Sequence, residues 1–168
     1  MLESASPGID DPAERAARVE SDRALAESIE RDGLEAFVDR WEALPLFATQ
    51  ARLPDDVRRR LREQRLRNRM TGLASSLRGM GAGAQEPAFA RLGDLAMPVL
   101  LIAGDEDAKY RELARAMGGR IRQARAEIVE GAGHAVHLEH SAAFAALVKE
   151  FLGTCLQQNK QRESSARR

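Results

Sequence analysis

The spacing of apolar residues along the chain changes near Pro87. Before it, residues 11–83 show helical spacing, with Asp11 placed to cap a first helix and Pro12 at its first position. This helix is rich in Ala, Arg and Glu and is predicted to end before Gly33. Further helices are predicted over residues 34–44, ended by Pro45, and from Asp55 towards Gly72 or Gly79.

After Pro87, short apolar runs alternate with helical segments. Residues 99–103 have the length and composition of a buried strand, and residues 126–129 form a second candidate. A helical segment follows each strand, over residues 109–117 and over residues 141–152, where Ser141 is the expected cap. Two successive strand–loop–helix units predict a parallel sheet.

Two parallel strands do not complete a sheet, because such strands are buried on both faces and need neighbours. The sequence therefore predicts an α/β fold in which this chain is the C-terminal portion of a larger domain, with the N-terminal strands missing. The predicted organisation is the end of a strand and a turn in 1–10, a helical region in 11–86, a sheet-bearing region in 87–152 and a disordered polar tail in 153–168.

Composition limits the kinds of partner. The 26 basic and 26 acidic residues balance, so no overall field favours nucleic acid or a membrane surface. No apolar stretch reaches the roughly 18 residues of a membrane helix. The single cysteine, Cys155, excludes an internal disulfide and fits a reducing compartment. We expect a cytoplasmic protein that binds neither nucleic acid nor membrane.

An acid and a histidine follow the two predicted strands. The first strand leads into Gly104-Asp105-Glu106-Asp107, and the second into Gly131-Ala132-Gly133-His134. A carboxylate orients an imidazole, which in turn activates a serine hydroxyl. Acid before histidine is the order found in α/β-hydrolases, but no Gly-x-Ser-x-Gly turn precedes the pair in this sequence. Asp105 is the alternative acid, and a solvated loop with a helix cap is the purely structural interpretation.

Several segments together resemble a known family. They are Ser4-Ala5-Ser6-Pro7-Gly8, Phe37-Val38-Asp39-Arg40-Trp41, Leu77-Arg78-Gly79-Met80-Gly81, Asp107-Ala108-Lys109-Tyr110 and Gly131-Ala132-Gly133-His134-Ala135-Val136-His137-Leu138-Glu139. In this order they resemble the 2-succinyl-6-hydroxy-2,4-cyclohexadiene-1-carboxylate synthase family, over about residues 4–152. The resemblance implies an α/β-hydrolase fold in which residues 11–86 form the cap, and its spacing favours Asp107 as the acid.

The same resemblance implies a reaction. The family comprises lyases of menaquinone biosynthesis that eliminate pyruvate from 2-succinyl-5-enolpyruvyl-6-hydroxy-3-cyclohexene-1-carboxylate with a Ser-Asp-His triad, without a metal or cofactor. Asp107 and His134 would be catalytic, and the partner would be a small carboxylate-bearing substrate once an N-terminal half completes the site.

The resemblance also points to residues of the cap. Arg65 and Arg18 match the family's substrate arginines, and Trp41 matches a tryptophan near its pocket. The structural alternative for Trp41 is an ordinary core position. Arg65 lies in a run of eight arginines between residues 52 and 69. Most of these are expected to be solvated, because they cannot share one helix face and nearby acids neutralise them.

Two other functions remain open. The same triad would serve an ester hydrolase, because the fold alone does not fix the reaction. The chain would otherwise be a non-enzymatic remnant or interaction module, which the absence of the serine favours. In every case we expect the chain alone to be inactive, since it lacks the nucleophile and its oxyanion loop.

Overall fold

The computed structural model describes residues 1–166, with side chains described up to residue 161. These residues form two compact units. The helical unit is Ser6–Arg91, and the sheet unit combines Met1–Ala5 with the described residues from Leu92 onward. Within residues 1–166, no helix combines the length and the apolar character needed to cross a membrane.

The helical unit contains α1 (Pro12–Asp32), α2 (Leu34–Glu42), α3 (Asp55–Leu66) and α4 (Met70–Met80), with a 3-10 helix, Pro45–Arg52, between α2 and α3. A second 3-10 helix, Phe89–Asp94, leads into the sheet unit.

The start and end of α1 follow from its sequence. The Asp11 carboxylate accepts hydrogen bonds from the backbone N–H groups of Ala13 and Glu14, at 2.9 and 2.8 Å. Pro12 begins the helix, where its missing N–H costs nothing. The helix ends at Gly33, whose φ of 89° lies in the region that favours glycine. The predicted capped first helix is confirmed.

The prediction of one continuous helix from Asp55 to Gly72 or Gly79 is wrong. The chain leaves the helical conformation after Leu66 and begins α4 at Met70. The Asn68 side chain donates to the carbonyl oxygen of Arg65 at 2.8 Å. The backbone N–H of Asn68 donates to the same carbonyl oxygen at 3.2 Å, so Asn68 closes the last turn of α3 through both its main chain and its side chain. A side chain other than Gly or Pro therefore marks the break.

The sheet unit is built on three parallel strands in the order β1 (Leu2–Glu3), β2 (Val99–Gly104), β3 (Ala124–Val129). In the pairing register, Leu2 lies opposite Leu101 and Val99 lies opposite Ala124. The predicted α/β class with a parallel sheet is confirmed. β1, predicted only as the end of a strand within residues 1–10, supplies the third strand.

β2 lies at the centre of the core, and all six of its residues are buried. Burial on both faces explains its unbroken apolar sequence. The remaining helices of this unit are α5 (Ala108–Gly118), α6 (Val136–Glu139) and α7 (Ser141–Ala166). On one face of the sheet Leu100 and Ile102 pack with Ala132 and Val136, and four residues of α7 cover them: Phe144, Leu147, Val148 and Phe151.

The prediction of a disordered tail from Gly153 differs from the structure, in which α7 continues to Ala166. Residues 154–166 contain neither Gly nor Pro and include several good helix formers, such as Gln, Lys, Arg and Glu. Apolar periodicity is the pattern of a helix that buries one face, and its absence does not prevent a segment from being helical. Residues 167–168 of the predicted tail lie outside the described residues.

Candidate active site

The loops after β2 and β3 are in direct contact. The backbone N–H of Asp105 donates to the carbonyl oxygen of Val129 at 3.1 Å, and the N–H of Glu106 donates to that of Ala132 at 3.0 Å. A Cβ atom on Gly104 would overlap the carbonyl oxygens of Ala132 and Gly133. Glycine at this position therefore allows the second loop to cross the end of β2.

The crossing brings the predicted acid and histidine together. Nδ1 of His134 lies 2.7 Å from Oδ2 of Asp107. The Asp107 side chain is only 5% exposed, whereas that of His134 is 22% exposed. A buried carboxylate holding a partly accessible imidazole is the arrangement of an acid–base pair in which the carboxylate orients the ring.

Asp107 is itself held by the start of α5. It is the N-cap of this helix, and its Oδ1 atom accepts from the backbone N–H of Tyr110 at 3.3 Å. The Tyr110 ring meets the His134 imidazole edge to face, with 4.7 Å between the ring centres. One carboxylate oxygen therefore caps the helix while the other contacts the histidine.

The alternative acid, Asp105, is differently placed. Its Oδ1 atom is buried without a hydrogen-bond partner among the described residues. Its carbonyl oxygen accepts from Nη1 of Arg111 at 2.7 Å. Of the two candidate acids, Asp107 contacts the imidazole of His134 through its carboxylate.

Two further residues hold the backbone around His134. The Glu139 carboxylate accepts from the N–H groups of Gly133, at 2.7 Å, and Ala135, at 3.2 Å. The Ser4 hydroxyl donates to the carbonyl oxygen of His134 at 2.8 Å. Ser4 follows β1 directly and has a φ of 40°, an uncommon conformation for a residue other than glycine.

In the helical unit, Arg65 lies in a network of charged and polar side chains. Its guanidinium donates to Oε1 of Glu42 at 2.7 Å and to Oε1 of Gln50 at 3.0 Å. Glu42 also accepts from Arg62 at 2.9 Å. Hydrogen bonds to Asp39 and then to Glu42 raise the pKa of the Arg62 guanidinium above its ordinary value.

This network borders a cavity of about 420 Å³ within the helical unit. Four of its lining residues are arginines and one is an acid: Arg58, Arg59, Arg62, Arg65 and Glu42. Phe47 and Leu61 contribute apolar surface. Positive charge beside apolar surface suits a small anion with a hydrocarbon body.

Arg18 and Trp41 have other surroundings. Arg18 donates to Oδ1 of the buried Asp22 at 2.8 Å, one turn further along α1, and it is not among the residues lining this cavity. The Trp41 ring packs between Phe37 and Phe47, with ring-centre distances of 5.5 and 5.3 Å. Trp41 thus belongs to an aromatic cluster that reaches the cavity through Phe47.

Among the side chains that the structure describes, up to residue 161, no group of three or more His, Cys, Asp or Glu residues could hold a metal ion.

Comparison with known proteins identifies the family. The model of the alpha/beta hydrolase family matches residues 2–147. The chain belongs to the α/β-hydrolase family. Asp107 and His134 therefore lie in the loops after two neighbouring parallel strands of an α/β-hydrolase sheet.

Within this family, the chain is similar to several 2-succinyl-6-hydroxy-2,4-cyclohexadiene-1-carboxylate synthases. A protein of Bacillus subtilis (strain 168) is 47% identical to this chain over 152 residues. It is provisionally assigned as 2-succinyl-6-hydroxy-2,4-cyclohexadiene-1-carboxylate synthase. The match covers 90% of this chain and 56% of the relative. The synthase of Serratia proteamaculans (strain 568) is 32% identical, with the same coverage. The structure of MenH from S. aureus superimposes with a TM-score of 0.90 at 35% identity, covering 91% of this chain and 57% of that one.

The chain thus corresponds to the C-terminal portion of these relatives and spans little more than half of their length. Its sequence contains no Gly-x-Ser-x-Gly turn, the place of the nucleophile in an α/β-hydrolase.

Glu139 and Ser4 are contacts of the site that were not predicted from the sequence. Both occur in segments that carry the family resemblance, but neither residue type suggested a role at its position. The available signal for Glu139 was its spacing, five residues after His134 at the end of a short helical segment. The contact made by Ser4 joins residues 130 positions apart, so local sequence held no sign of it.

Proposed function

We propose that this chain carries the cap and the acid–base pair of a lyase like 2-succinyl-6-hydroxy-2,4-cyclohexadiene-1-carboxylate synthase. The observation that carries the proposal is the 2.7 Å contact between His134 and the buried Asp107. Identity of 47% to the Bacillus subtilis relative supports the choice of substrate. The reaction is the elimination of pyruvate from 2-succinyl-5-enolpyruvyl-6-hydroxy-3-cyclohexene-1-carboxylate.

The pair suits this reaction because it sets the direction of proton transfer. A proton on Nδ1 of His134 donates to Asp107, which leaves Nε2 as the base that activates a serine hydroxyl. The activated serine then removes a proton from the substrate ring. The electron pair of the broken C–H bond forms one ring double bond, the existing ring double bond shifts towards the carbon that bears the enolpyruvyl group, and the bond from that carbon to the enolpyruvyl oxygen breaks. The leaving group departs as the enolate of pyruvate and takes up one proton, equal to the one removed from the ring, to become pyruvate. Asp107 balances the positive charge on the imidazole throughout.

This sequence contains no Gly-x-Ser-x-Gly turn to carry the serine that His134 would activate. The proposal therefore requires a segment with a Gly-x-Ser-x-Gly turn, supplied within a longer polypeptide or by a separate chain. That segment would also supply the oxyanion donors, which come from the residue after the serine and from an earlier loop.

We assign Arg65 to binding a substrate carboxylate. Its side chain is 23% exposed and already oriented by Glu42 and Gln50. An oriented guanidinium loses little further conformational freedom when it binds a second carboxylate. We also assign Arg18 and Trp41 to the substrate, on the basis of the family resemblance; Arg18 pairs with Asp22, and Trp41 packs among aromatic rings.

The test is to restore the missing portion. The N-terminal part of the Bacillus subtilis relative, up to the start of the match, is fused to this chain, and pyruvate release is followed through NADH oxidation by lactate dehydrogenase. We expect turnover from the fusion and none from the chain alone. His134→Ala should abolish turnover, while His140→Ala, whose ring lies near Gly131 instead, should retain it.

A second substrate class belongs in the same experiment, because the pair would equally serve acyl transfer. A panel of p-nitrophenyl esters is assayed beside the lyase substrate. Ester hydrolysis without pyruvate release would show that the completed protein is an ester hydrolase and not the proposed lyase. A folded fusion without either activity would favour a non-enzymatic remnant or interaction module.

A further inference from the structure

Glu139 contacts the main chain on both sides of His134. Its Oε2 atom accepts from the N–H of Gly133 at 2.7 Å, and its Oε1 atom accepts from the N–H of Ala135 at 3.2 Å. The Ala132–Gly133 and His134–Ala135 peptide groups are therefore bound to one carboxylate.

Burial makes these contacts important for the position of the loop. Gly133 and Ala135 are buried, and Ala135 is only 8% exposed. A buried N–H group needs a partner, so a loop that moved away from Glu139 would leave two donors unsatisfied. A carboxylate also accepts more strongly than a neutral oxygen.

The short helix α6 gives Glu139 a fixed base. The N–H groups of Leu138 and Glu139 both donate to the carbonyl oxygen of Ala135, at 3.0 Å each. Val136, at the start of α6, is fully buried in the core of the sheet unit. The loop, the helix and the carboxylate thus form a closed arrangement around the backbone of His134.

We propose that Glu139 is a positioning residue that fixes the imidazole of His134 against Asp107. The role depends on the function proposed above only in its consequence for turnover, because the orientation of the ring is measurable in the chain by itself. Glu139 acts through the backbone, while Asp107 contacts the ring directly.

The test is Glu139→Gln in the full chain, read by the side-chain ¹⁵N shifts of His134 and by the signal of its Nδ1 proton. Glutamine keeps one acceptor oxygen but turns an NH₂ donor towards the second N–H group, so one of the two bonds is lost. We expect the variant to lose the hydrogen-bonded Nδ1 signal and to show mixed imidazole tautomers, with the amide signals of β2 unchanged. Glu130→Gln, in the same loop but at an exposed position, is the control and should retain the wild-type pattern.

An unchanged His134 tautomer in a folded Glu139→Gln variant would overturn the proposal. If that variant does not fold, the wild-type chain still gives a test through the scalar coupling across the hydrogen bond between the Gly133 nitrogen and the Glu139 carboxyl carbon. Its absence would also overturn the proposal. Because neither measurement requires turnover, an inactive fusion protein would count against the lyase function without affecting this result.

Discussion

Gly104 lies so close to Ala132 that the carbonyl oxygen of Ala132 occupies the space of a Cβ atom at position 104. The carbonyl oxygen of Gly133 restricts the same space from a second direction. The loop bearing His134 can cross the end of β2 only because residue 104 has no side chain. The distance between Asp107 and His134 therefore depends on a glycine that contacts neither ring nor carboxylate.

We predict that Gly104→Ala destabilises the sheet unit by about 1–3 kcal/mol, the usual range for an added methyl group in a closely packed region. The His134 loop must move, so the Asp107–His134 contact should be lost as well. Urea unfolding measures the first effect, and the His134 side-chain ¹⁵N shifts measure the second. Gly153→Ala in α7 is the matched control, because nothing lies within 4 Å of a Cβ atom there. It should change stability by no more than about 1 kcal/mol, in the stabilising direction. Equal stability of the two variants would contradict the argument.

The sequence was sufficient to predict β2, β3, α5 and α7 because each has a strong local signal. The buried strand β2 is a continuous apolar run, and the glycines after β2 and β3 mark the loops that carry Asp107 and His134. β1 pairs through only Leu2 and Glu3, too short a segment to show any periodicity. Its place depends on the neighbouring strand, which local sequence does not describe.

Other features could not be predicted because they depend on side chains that meet in three dimensions. The break between α3 and α4 contains neither Gly nor Pro, and it is marked by Asn68, whose side chain donates to the carbonyl oxygen of Arg65. Glu139 has the composition of an ordinary exposed helix residue until its contacts with Gly133 and Ala135 are known. The part of α7 beyond Gly153 lacks apolar periodicity, the pattern from which amphipathic helices are predicted, so its sequence favours disorder although the segment is helical.

Removing the charge of Asp105 and of Asp107, the two candidate acids after β2, should affect turnover differently. In the fusion protein, Asp107→Asn should lower kcat by about 10⁴-fold, because an amide group facing Nδ1 favours the wrong imidazole tautomer. Asp105→Asn should leave kcat close to that of the wild type, since Asp107 is the acid at 2.7 Å from His134. Steady-state kinetics of the two variants at saturating substrate gives the comparison. A larger loss from the Asp105 variant would reverse the assignment of the acid.

The helical unit should lose part of its stability in acid through Glu30. Both carboxylate oxygens of Glu30 accept from Arg78, at 2.8 and 2.7 Å, which links α1 to α4. The hydrogen bond from Arg78 holds the pKa of Glu30 below its ordinary value of 4.5. Because the folded pKa is the lower one, this contribution is fully present above pH 4.5 and is lost as the pH falls through the folded value.

The comparison that tests this pH dependence is the melting temperature of the wild type and of Glu30→Gln at about pH 7 and about pH 3, in low salt. We expect the wild type to have a higher melting temperature than Glu30→Gln at about pH 7. The difference in melting temperature between the two proteins should be smaller at about pH 3. Arg78→Met should reproduce the same pH dependence, because it removes the other partner. A difference that stays constant with pH would show that Glu30 acts through packing and not through its charge.

The contact between Glu42 and Arg65 should stabilise the helical unit as a specific pair. Their side chains are 27% and 23% exposed and meet at 2.7 Å, so solvent screens them less than it screens most surface pairs. A double-mutant cycle with Glu42→Gln and Arg65→Met should give a coupling free energy of about 1 kcal/mol in urea unfolding. A parallel cycle with Glu42→Gln and Arg58→Met is the control, because Arg58 also lines the cavity but pairs with Asp55. Its coupling should be close to zero. Equal coupling in both cycles would mean that Glu42 responds to the general positive field of the arginines, and that Arg65 is not individually oriented to receive a carboxylate.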